Sequence, residues 1–474
     1  MKLLDDLYKK LPVSVQHLAV SAQGWVYRRQ RYGQAFRQEL KFLLNTEFAS
    51  PLQLELFQTA RLREMLRYAH ARIPAYQGKG LDAIAASLRP GHSHTFASLA
   101  LTPKSLVRTS PESFWPDGQK PKNSIPWSTS GTTGTPMTLF YSPASVSRQY
   151  AFVEQYRLQA GVNRFLRRAQ FTGKLIAPPG EKQQFWRRDH ANNCLLLSTV
   201  HLSRQNLPLY LEALEAFQPA YLSGYPSAIA LLAQAALRNP HLKLPLRAVL
   251  TSAETVTDEQ RLLVGSAFGC RIYDQYGQTE MQSFWFECRY GRMHAHPLFG
   301  LTEILRPNGE PCRPNEMGDV VLTGFLNQAM PLLRYEVGDR AAFSDESKCP
   351  CGRNMPIIAG IEGRRDDYLY SPERGLVGRM DPALKGINGI LECQFVQHTP
   401  TSLDIYYVPT TDFTHEELAR FRANLEDRLG GSLLLRFHAK QSLERGANGK
   451  LRAVVSKLDP AFLAQALAEE TTVS

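Results

Sequence analysis

The chain has 474 residues, of which 43% are hydrophobic and 21% charged, and its formal net charge at pH 7 is +11. This composition excludes a disordered, collagen-like or low-complexity chain and is typical of a folded protein of roughly two to four domains. The positive charge favours anionic partners, such as nucleotides, coenzymes, nucleic acid or an anionic membrane surface.

The cysteines and the first residues indicate a reducing compartment. The seven cysteines are odd in number, and the opening segment MKLLDDLYKK contains two aspartates with no long apolar stretch behind them, unlike a secretory signal. The most apolar stretch, 221–237, is interrupted by polar residues, glycine and proline, so no membrane-spanning helix is expected. We therefore expect unpaired thiols and a cytoplasmic location.

The N-terminal residues are predicted to be helical up to about residue 75, because apolar residues recur there at intervals of three and four. Within this part, the segment 27–42 mixes basic and aromatic residues and allows two interpretations. It is either a basic, aromatic surface for a membrane or nucleic acid, or a surface helix whose aromatic side chains face the core and whose arginines face water.

Strands and helices alternate between about 120 and 345, which predicts α/β layers. The clearest strands and helices in this part are 207–217, 228–237, 248–253, 271–276 and 319–324.

The chain changes character after about residue 365. A strand-like alternation over 404–409, an amphipathic helix over 415–429 and a second strand over 433–439 predict a small α+β domain. The predicted fold class is therefore α/β. It consists of a large N-terminal domain of layered sheets and helices over 1–365, with 1–115 as a mainly helical lead-in, and a small C-terminal α+β domain over 366–474.

A loop rich in hydroxyl residues and glycine runs from Trp127 to Pro136 with the sequence WSTSGTTGTP. Glycine lets backbone N–H groups approach an anion closely and the hydroxyls add donors, so such a loop can wrap a polyphosphate. It is not a Walker A loop, because no Gly-Lys-Ser/Thr follows. Taken alone, the segment is equally compatible with an ordinary polar turn.

The motifs that follow the loop, and their order, favour a polyphosphate-binding loop over an ordinary polar turn. They are YDQYGQTE (273–280), YEVGDR (335–340), GRRDD (363–367) and ERGANGK (444–450). Together with the loop, they resemble the phosphate loop, the Tyr-Gly-x-Thr-Glu motif, the Gly-Asp ribose motif, the hinge motif and the late Gly-Lys motif of the adenylate-forming enzymes. That superfamily comprises acyl-CoA synthetases, luciferases and adenylation domains.

Further segments narrow the resemblance. Those similar to the phenylacetate–CoA ligase family are 66–69, 73–74, 224–227 and 349–353. Those similar to its branch linked to capsular polysaccharide biosynthesis are 185–187, 197–202 and 391–398. The segment SPERGLV after the hinge departs from the phenylacetate–CoA ligase pattern, which leaves the acyl acceptor open.

The resemblance implies a site for ATP. The residues assigned to the phosphates are Ser130, Gly131, Thr132, Thr133 and Gly134. The residues assigned to the adenine and the ribose are Ser252, Ala253, Glu254, Tyr276, Gly277, Asp339 and Arg364.

The resemblance also implies how the reaction is catalysed. Thr279 would donate to the α-phosphate, Glu280 would bind Mg²⁺, and Lys450 would bridge the reacting carboxylate and the α-phosphate. Because Lys450 lies in the small C-terminal domain, that domain is expected to be mobile and to rotate about the hinge residue Asp366. Many loops of the superfamily end in Pro-Lys, whereas this one has Met137 in place of the lysine, a lysine that the phenylacetate branch also lacks.

Three cysteines and a histidine form a candidate metal site. Cys349 and Cys351 flank a proline, and five residues separate Cys288 from His294. Three cysteines and one histidine are a common ligand set of structural zinc sites, and the family resemblance implies a similar cluster. His296 is an alternative to His294, and unpaired buried thiols are the alternative to the site as a whole.

These patterns predict an ATP-dependent, AMP-forming ligase that activates a small carboxylic acid as acyl-AMP and releases pyrophosphate. The expected acceptor is the thiol of CoA, with an amine or hydroxyl of a sugar in capsular or surface polysaccharide biosynthesis as the alternative. A nucleic-acid-binding protein is not expected, since it would leave the loop and Lys450 without a role. A peripheral membrane contact and the oligomeric state stay open.

Overall fold

A computed structural model describes residues 7–91, 96, 98–128, 137–172, 176–178, 180–203, 205–364, 369–377, 380–384, 387, 389–445, 451–459 and 462. The helices used below are α1 (Val13–Arg31), α2 (Gln34–Asn45), α3 (Pro51–Arg72), α4 (Leu81–Ser87), α5 (Lys104–Thr109), α6 (Pro143–Gln159), α7 (Leu207–Phe217), α8 (Pro226–Leu237), α9 (Asp258–Phe268) and α10 (His415–Leu429).

The strands of the N-terminal part are β1 (Ile125–Ser128), β2 (Thr138–Tyr141), β3 (Arg168–Thr172), β4 (Trp186–Asp189), β5 (Cys194–Ser198), β6 (Tyr221–Gly224), β7 (Ala248–Ser252), β8 (Arg271–Gly277), β9 (Phe284–Glu287), β10 (Met293–Ala295), β11 (Gly300–Leu305), β12 (Gly318–Gly324), β13 (Tyr335–Phe343) and β14 (Ile357–Arg364). Those of the C-terminal part are β15 (Leu369–Ser371), β16 (Gly375–Val377), β17 (Ile390–Thr399), β18 (Ser402–Pro409), β19 (Leu434–Ala439) and β20 (Val454–Ser456).

The N-terminal part is organised around a twelve-stranded sheet with the order β11-β12-β13-β14-β10-β9-β8-β7-β6-β3-β5-β4. Strands β5, β3, β6, β7 and β8, given in their order across the sheet, pair in parallel. Helix α7 connects β5 to β6, α8 connects β6 to β7, and α9 connects β7 to β8. A crossover helix between parallel strands returns the chain to the same edge of the sheet, so the carboxyl ends of β6, β7 and β8 lie side by side.

The helices begin and pack as their sequences dictate. Ser50 and Thr257 accept hydrogen bonds from the backbone of Gln53 and Gln260 and form capping boxes at the starts of α3 and α9. Helix α8 is apolar almost all round, and Ile229 and Leu232 are fully buried in a core shared with α7, α9 and the sheet. This core covers a face of the parallel strands and not their carboxyl ends. The edge formed by those ends is therefore available for a site.

The C-terminal part is a smaller α+β domain. Its four-stranded sheet has the order β19-β18-β17-β20, and α10 packs on it through Phe421, Leu425 and Leu429, within a core that also contains Phe395 and Ile405. The predicted α/β fold class with a small C-terminal α+β domain is confirmed. The strands and helices expected at 207–217, 228–237, 248–253, 271–276, 319–324, 404–409, 415–429 and 433–439 all form.

Within the basic and aromatic segment 27–42, the part from Tyr32 onward follows the second of the two interpretations. Phe36 is buried, and Tyr32 and Phe42 pack against the same core, whereas Arg37 and Lys41 are exposed. Among the described residues, no helix combines the length and the apolar character needed to cross a bilayer.

Candidate active site

The motif residues that follow β7 and β8 lie at one edge of the large sheet. In the parallel pairing of the two strands, Ser252 is the partner of Gln275. Ala253, directly after β7, has a φ of +75°, and this sharp change of direction leads the chain to Glu254. The structure thus brings the segment 252–254 next to the YDQYGQTE segment, as the resemblance implied.

Tyr276 and Asp339 form the centre of this arrangement. The Tyr276 hydroxyl donates to Asp339 Oδ2 at 2.6 Å, and its ring stacks on Trp285 with a centroid distance of 4.2 Å. Burial and the neighbouring Asp339 carboxylate raise the pKa of Tyr276 well above its ordinary value, so the phenol remains a neutral donor. Asp339 on β13 is also the register partner of Arg364 at the end of β14.

Glu280 is a buried carboxylate with two partners from different parts of the chain. Its Oε1 accepts from the Tyr335 hydroxyl at 3.0 Å and lies 3.3 Å from Lys104 Nζ. Lys104 begins α5, and backbone hydrogen bonds of Thr102 with Arg334 and Glu336 attach the preceding turn to β13. A buried carboxylate needs such partners, because an unpaired charge in the interior is costly.

Sequence reasoning missed Lys104 and Tyr335. The signal that points to Lys104 is indirect. It is that Met137 stands where many superfamily loops have a lysine, which leaves room for a cation from elsewhere in the chain. Tyr335 is the first residue of the segment YEVGDR, but nothing in the sequence indicates that it contacts Glu280.

Strands β1 and β2, which lie on either side of the predicted phosphate loop in the sequence, form a hairpin that contacts the same segment. Ser128 and Thr138 are register partners, and the Tyr141 hydroxyl donates to the Thr279 backbone carbonyl. The hairpin therefore packs beside Thr279 through Tyr141 on β2. The predicted residues that lie outside the described part of the chain are Ser130, Gly131, Thr132, Thr133, Gly134, Asp366 and Lys450, and of Arg364 only the backbone is described.

Arg445 links the small domain to the large one and was also missed. Its side chain, which is largely buried, forms an ion pair with Glu392 on β17 and donates to Ser227 Oγ at 3.3 Å across the domain boundary. The Ser227 backbone N–H donates to Glu254 Oε2 at 3.1 Å, so this contact extends to the segment after β7. Arg445 precedes Lys450 by five positions and belongs to the described start of the late Gly-Lys motif.

The four predicted metal ligands are brought together. Cys288, His294, Cys349 and Cys351 are buried, and their ligand atoms all lie within 4.8 Å of one another. The Sγ atoms of Cys288 and Cys349 are 3.6 Å apart, and Cys351 Sγ is 3.5 Å from His294 Nε2. These separations fit tetrahedral zinc, whose bonds to sulfur are about 2.3 Å.

The structure also separates the two candidate histidines. The other ring nitrogen of His294, Nδ1, lies 3.3 Å from the carbonyl oxygen of Met355, the kind of contact that orients a zinc-bound imidazole. His296 instead contacts Gln155 Oε1 at 3.1 Å and accepts from the Leu298 N–H at 3.3 Å, so both of its nitrogens point away from the cluster. The geometry thus favours His294 over His296.

Comparisons with known proteins show which proteins this chain is similar to. A family profile described as the CapK C-terminal domain matches residues 369–457. The chain is 27% identical to Protein CapK of Staphylococcus aureus over 466 residues, which cover 96% of this chain and 100% of that protein. It is 27% identical to phenylacetate-coenzyme A ligase of Thermus thermophilus over 335 residues, which cover 67% of this chain and 72% of the enzyme.

A solved structure shares the fold. The 2-hydroxyisobutyryl-CoA ligase in its postadenylation state has a TM-score of 0.65 at 19% identity, over 88% of this chain and 92% of that one. The family resemblance predicted from the motifs is confirmed by these relatives.

Proposed function

We propose that this chain, a homologue of CapK and of the phenylacetate–CoA ligases, is an ATP-dependent ligase that activates a carboxylic acid as its acyl adenylate. The carboxylate oxygen attacks the α-phosphorus of ATP, the α–β anhydride bond breaks, and pyrophosphate leaves. The acceptor, for which we propose the thiol of CoA, then attacks the acyl carbon, loses its proton and releases AMP. The proposal rests chiefly on the convergence of Tyr276, Asp339, Thr279 and Glu280 beside the β1–β2 hairpin.

Each group in this convergence has a role that suits its chemistry. Asp339, oriented by the Tyr276 hydroxyl, accepts hydrogen bonds from the ribose hydroxyls. Thr279 donates to the α-phosphate, and Glu280 is the ligand for Mg²⁺, which neutralises charge on the phosphates. Lys104 supplies a further cation to the phosphates. Lys450 bridges the two reacting groups when the domains close.

The domain and metal assignments belong to the same proposal. We place the boundary between 365 and 366, with Asp366 as the hinge, and assign a structural zinc ion to the cluster of three cysteines and His294. Since all four ligand positions come from the protein, the metal has no open coordination site for substrate. A reducing cytoplasm suits the seven cysteines, none of which forms a disulfide.

The C-terminal match favours a second acceptor. The segment 369–457, which matches the CapK C-terminal domain, includes the residues after the hinge that depart from the phenylacetate–CoA ligase pattern. An amine or hydroxyl of a sugar in capsular polysaccharide biosynthesis is therefore the alternative to CoA.

The deciding experiment is carboxylate-dependent exchange of pyrophosphate into ATP, run against a panel of small acids. We expect at least one acid to support exchange and Lys450→Ala to reduce that rate by about 100-fold or more, as for loss of a preorganised charge. Exchange that is unchanged in this variant would remove Lys450 from the mechanism, and the absence of exchange with every acid would contradict the ligase itself. AMP release stimulated by CoA or by an aminosugar nucleotide then identifies the acceptor.

A further inference from the structure

Helix α1 presents a row of apolar side chains to the outside of the protein. These exposed residues, which we call the α1 stripe, are Val15, Leu18, Ala22, Trp25 and Val26. At about 100° of rotation per residue, their positions fall within an arc of roughly 100°. Leu18 is 67% exposed and Trp25 54% exposed, so packing within the chain does not account for the stripe.

The opposite face of α1 is polar and is the one that contacts the protein. Gln16 Oε1 accepts from Arg187 Nε at 2.6 Å, and His17 Nδ1 accepts from the Arg188 N–H at 2.9 Å. Gly24 lies against β4, and its carbonyl oxygen accepts from Asn192 Nδ2 at 3.0 Å. A surface helix of a globular protein usually has the reverse arrangement, with apolar residues inward.

The surroundings of the stripe carry positive charge. Between Leu7 and Gln38 the sequence contains no Asp or Glu. Arg28 and Arg29 are exposed at the C-terminal end of α1, and Lys10 is exposed just before the helix.

We propose that α1 docks on the surface of an anionic lipid bilayer, lying parallel to it. The α1 stripe enters the boundary between headgroups and acyl chains, with the Trp25 indole at the headgroup level, and the flanking basic residues contact lipid phosphates. A second copy of the chain is a poorer occupant, because a symmetric contact would set two positive surfaces against each other. The inference stands on α1 alone and does not depend on the ligase activity.

The test is co-sedimentation of the full-length protein with vesicles of phosphatidylcholine, alone or in an equal mixture with phosphatidylglycerol. We expect binding to the mixed vesicles only, and at least about tenfold weaker binding for the double variant Leu18→Ser/Trp25→Ser, because the apolar contribution is lost. The matched control is Leu262→Ser/Leu434→Ser, which removes two exposed leucines from α9 and β19. This control should bind as the wild type does.

Raised salt should weaken vesicle binding, because the basic residues are exposed and screened by ions. The double variant replaces side chains that are largely exposed, so its circular dichroism and thermal midpoint should match the wild type. No binding to mixed vesicles, or equal binding by the stripe variant, would overturn the proposal. The proposal would also be overturned if the wild type were a dimer that does not bind vesicles and the stripe variant were a monomer. The stripe would then be an interface between two copies of the chain.

Discussion

The ion pair between Lys104 and Glu280 joins residues 176 positions apart in the chain, in the buried surroundings where the Mg²⁺ ligand was expected. In the absence of ATP this pair compensates the buried carboxylate. In the proposed reaction, Glu280 would hold Mg²⁺ and the Lys104 ammonium group would be available to the phosphates. The lysine would then serve both the stability of the site and the charge of its substrate.

Replacing Lys104 by Met should lower the rate of pyrophosphate exchange by about 100-fold, because a preorganised cation near the phosphates is lost. The measurement uses the acid that gives the strongest exchange with the wild type. Lys122→Met, which removes an exposed lysine, is the matched control and should exchange at the wild-type rate. Equal rates for the two variants would show that Lys104 pairs with Glu280 without acting on ATP.

Asp274, in the same motif as Glu280, gives a prediction for the dependence of stability on pH. Burial raises the pKa of this carboxyl from 3.8 to about 6, despite a hydrogen bond from Thr251 Oγ1 at 2.7 Å. Since the folded state favours the neutral carboxyl, Asp274 does not lower the stability of the folded state below about pH 4, where it is protonated in both states. Between about pH 4 and pH 6 the stability falls, because the unfolded state ionises more readily, and above about pH 6 the loss stays constant.

Asp274→Asn, which keeps the shape and the acceptor oxygen, should therefore gain thermal stability relative to the wild type as the pH rises from 4 to 7. Each unit of pKa shift corresponds to about 1.4 kcal/mol of this difference. Thermal unfolding of both proteins across this range gives the measurement. The exposed Asp345→Asn should show no such trend, and a difference for Asp274→Asn that shrinks with pH would contradict the assignment.

At the level of secondary-structure elements, the cysteine cluster joins a strand pair to a distant loop. Cys288 follows β9, His294 lies on β10, and the two remaining cysteines come from the loop between β13 and β14. Strand β14 pairs with β10 and β13, so zinc at this point would connect the loop to the sheet that carries Asp339. A zinc ion bound by the cluster would therefore stabilise the strands that carry part of the site.

We predict about one zinc ion per chain, as expected for a closed set of four protein ligands. Cys349→Ser should lower both the zinc content and the thermal midpoint, because binding of a structural metal is coupled to folding. Elemental analysis and thermal unfolding measure the two quantities. Cys270→Ser replaces a thiol outside the cluster and should retain zinc, and a zinc-free wild type of unchanged stability would exclude the metal.

At the level of the whole molecule, Arg445 contacts both the small domain and the large one. Its ion pair with Glu392 is internal to the C-terminal domain, while its hydrogen bond to Ser227 crosses the boundary. A second bond across the boundary joins Arg238 to Thr411, but both of these residues are exposed. The buried contact is therefore the one that should resist separation of the domains.

If the proposed reaction uses the domain arrangement that Arg445 holds, Arg445→Met should slow pyrophosphate exchange by roughly tenfold, since that arrangement becomes less populated. The double variant Arg445→Met/Glu392→Gln keeps the loss of the boundary contact but removes the unpaired buried carboxylate. It should regain thermal stability without regaining the exchange rate. Arg238→Met is the matched control, and exchange equal to the wild type in all three variants would contradict a role for the contact.

Many of the strands and helices, and the resemblance on which the proposed site depends, could be predicted from the sequence. The periodicity of 207–217 and 271–276 predicts elements that form, and the motifs single out Tyr276, Asp339 and Glu280 as candidates without any knowledge of the fold. Such predictions are possible because hydrophobic periodicity and turn composition are local properties, and the order of the motifs can be read directly along the chain.

Only the tertiary structure decided which distant groups meet. Neither the pairing of Lys104 with Glu280 nor the choice of His294 over His296 follows from spacing, because both depend on strand register and on contacts between residues far apart in sequence. The same is true of α1, whose pattern predicts a helix but not which face turns inward. There, hydrogen bonds from the backbone and side chains of 187–192 satisfy the polar face, and the apolar stripe is left outside.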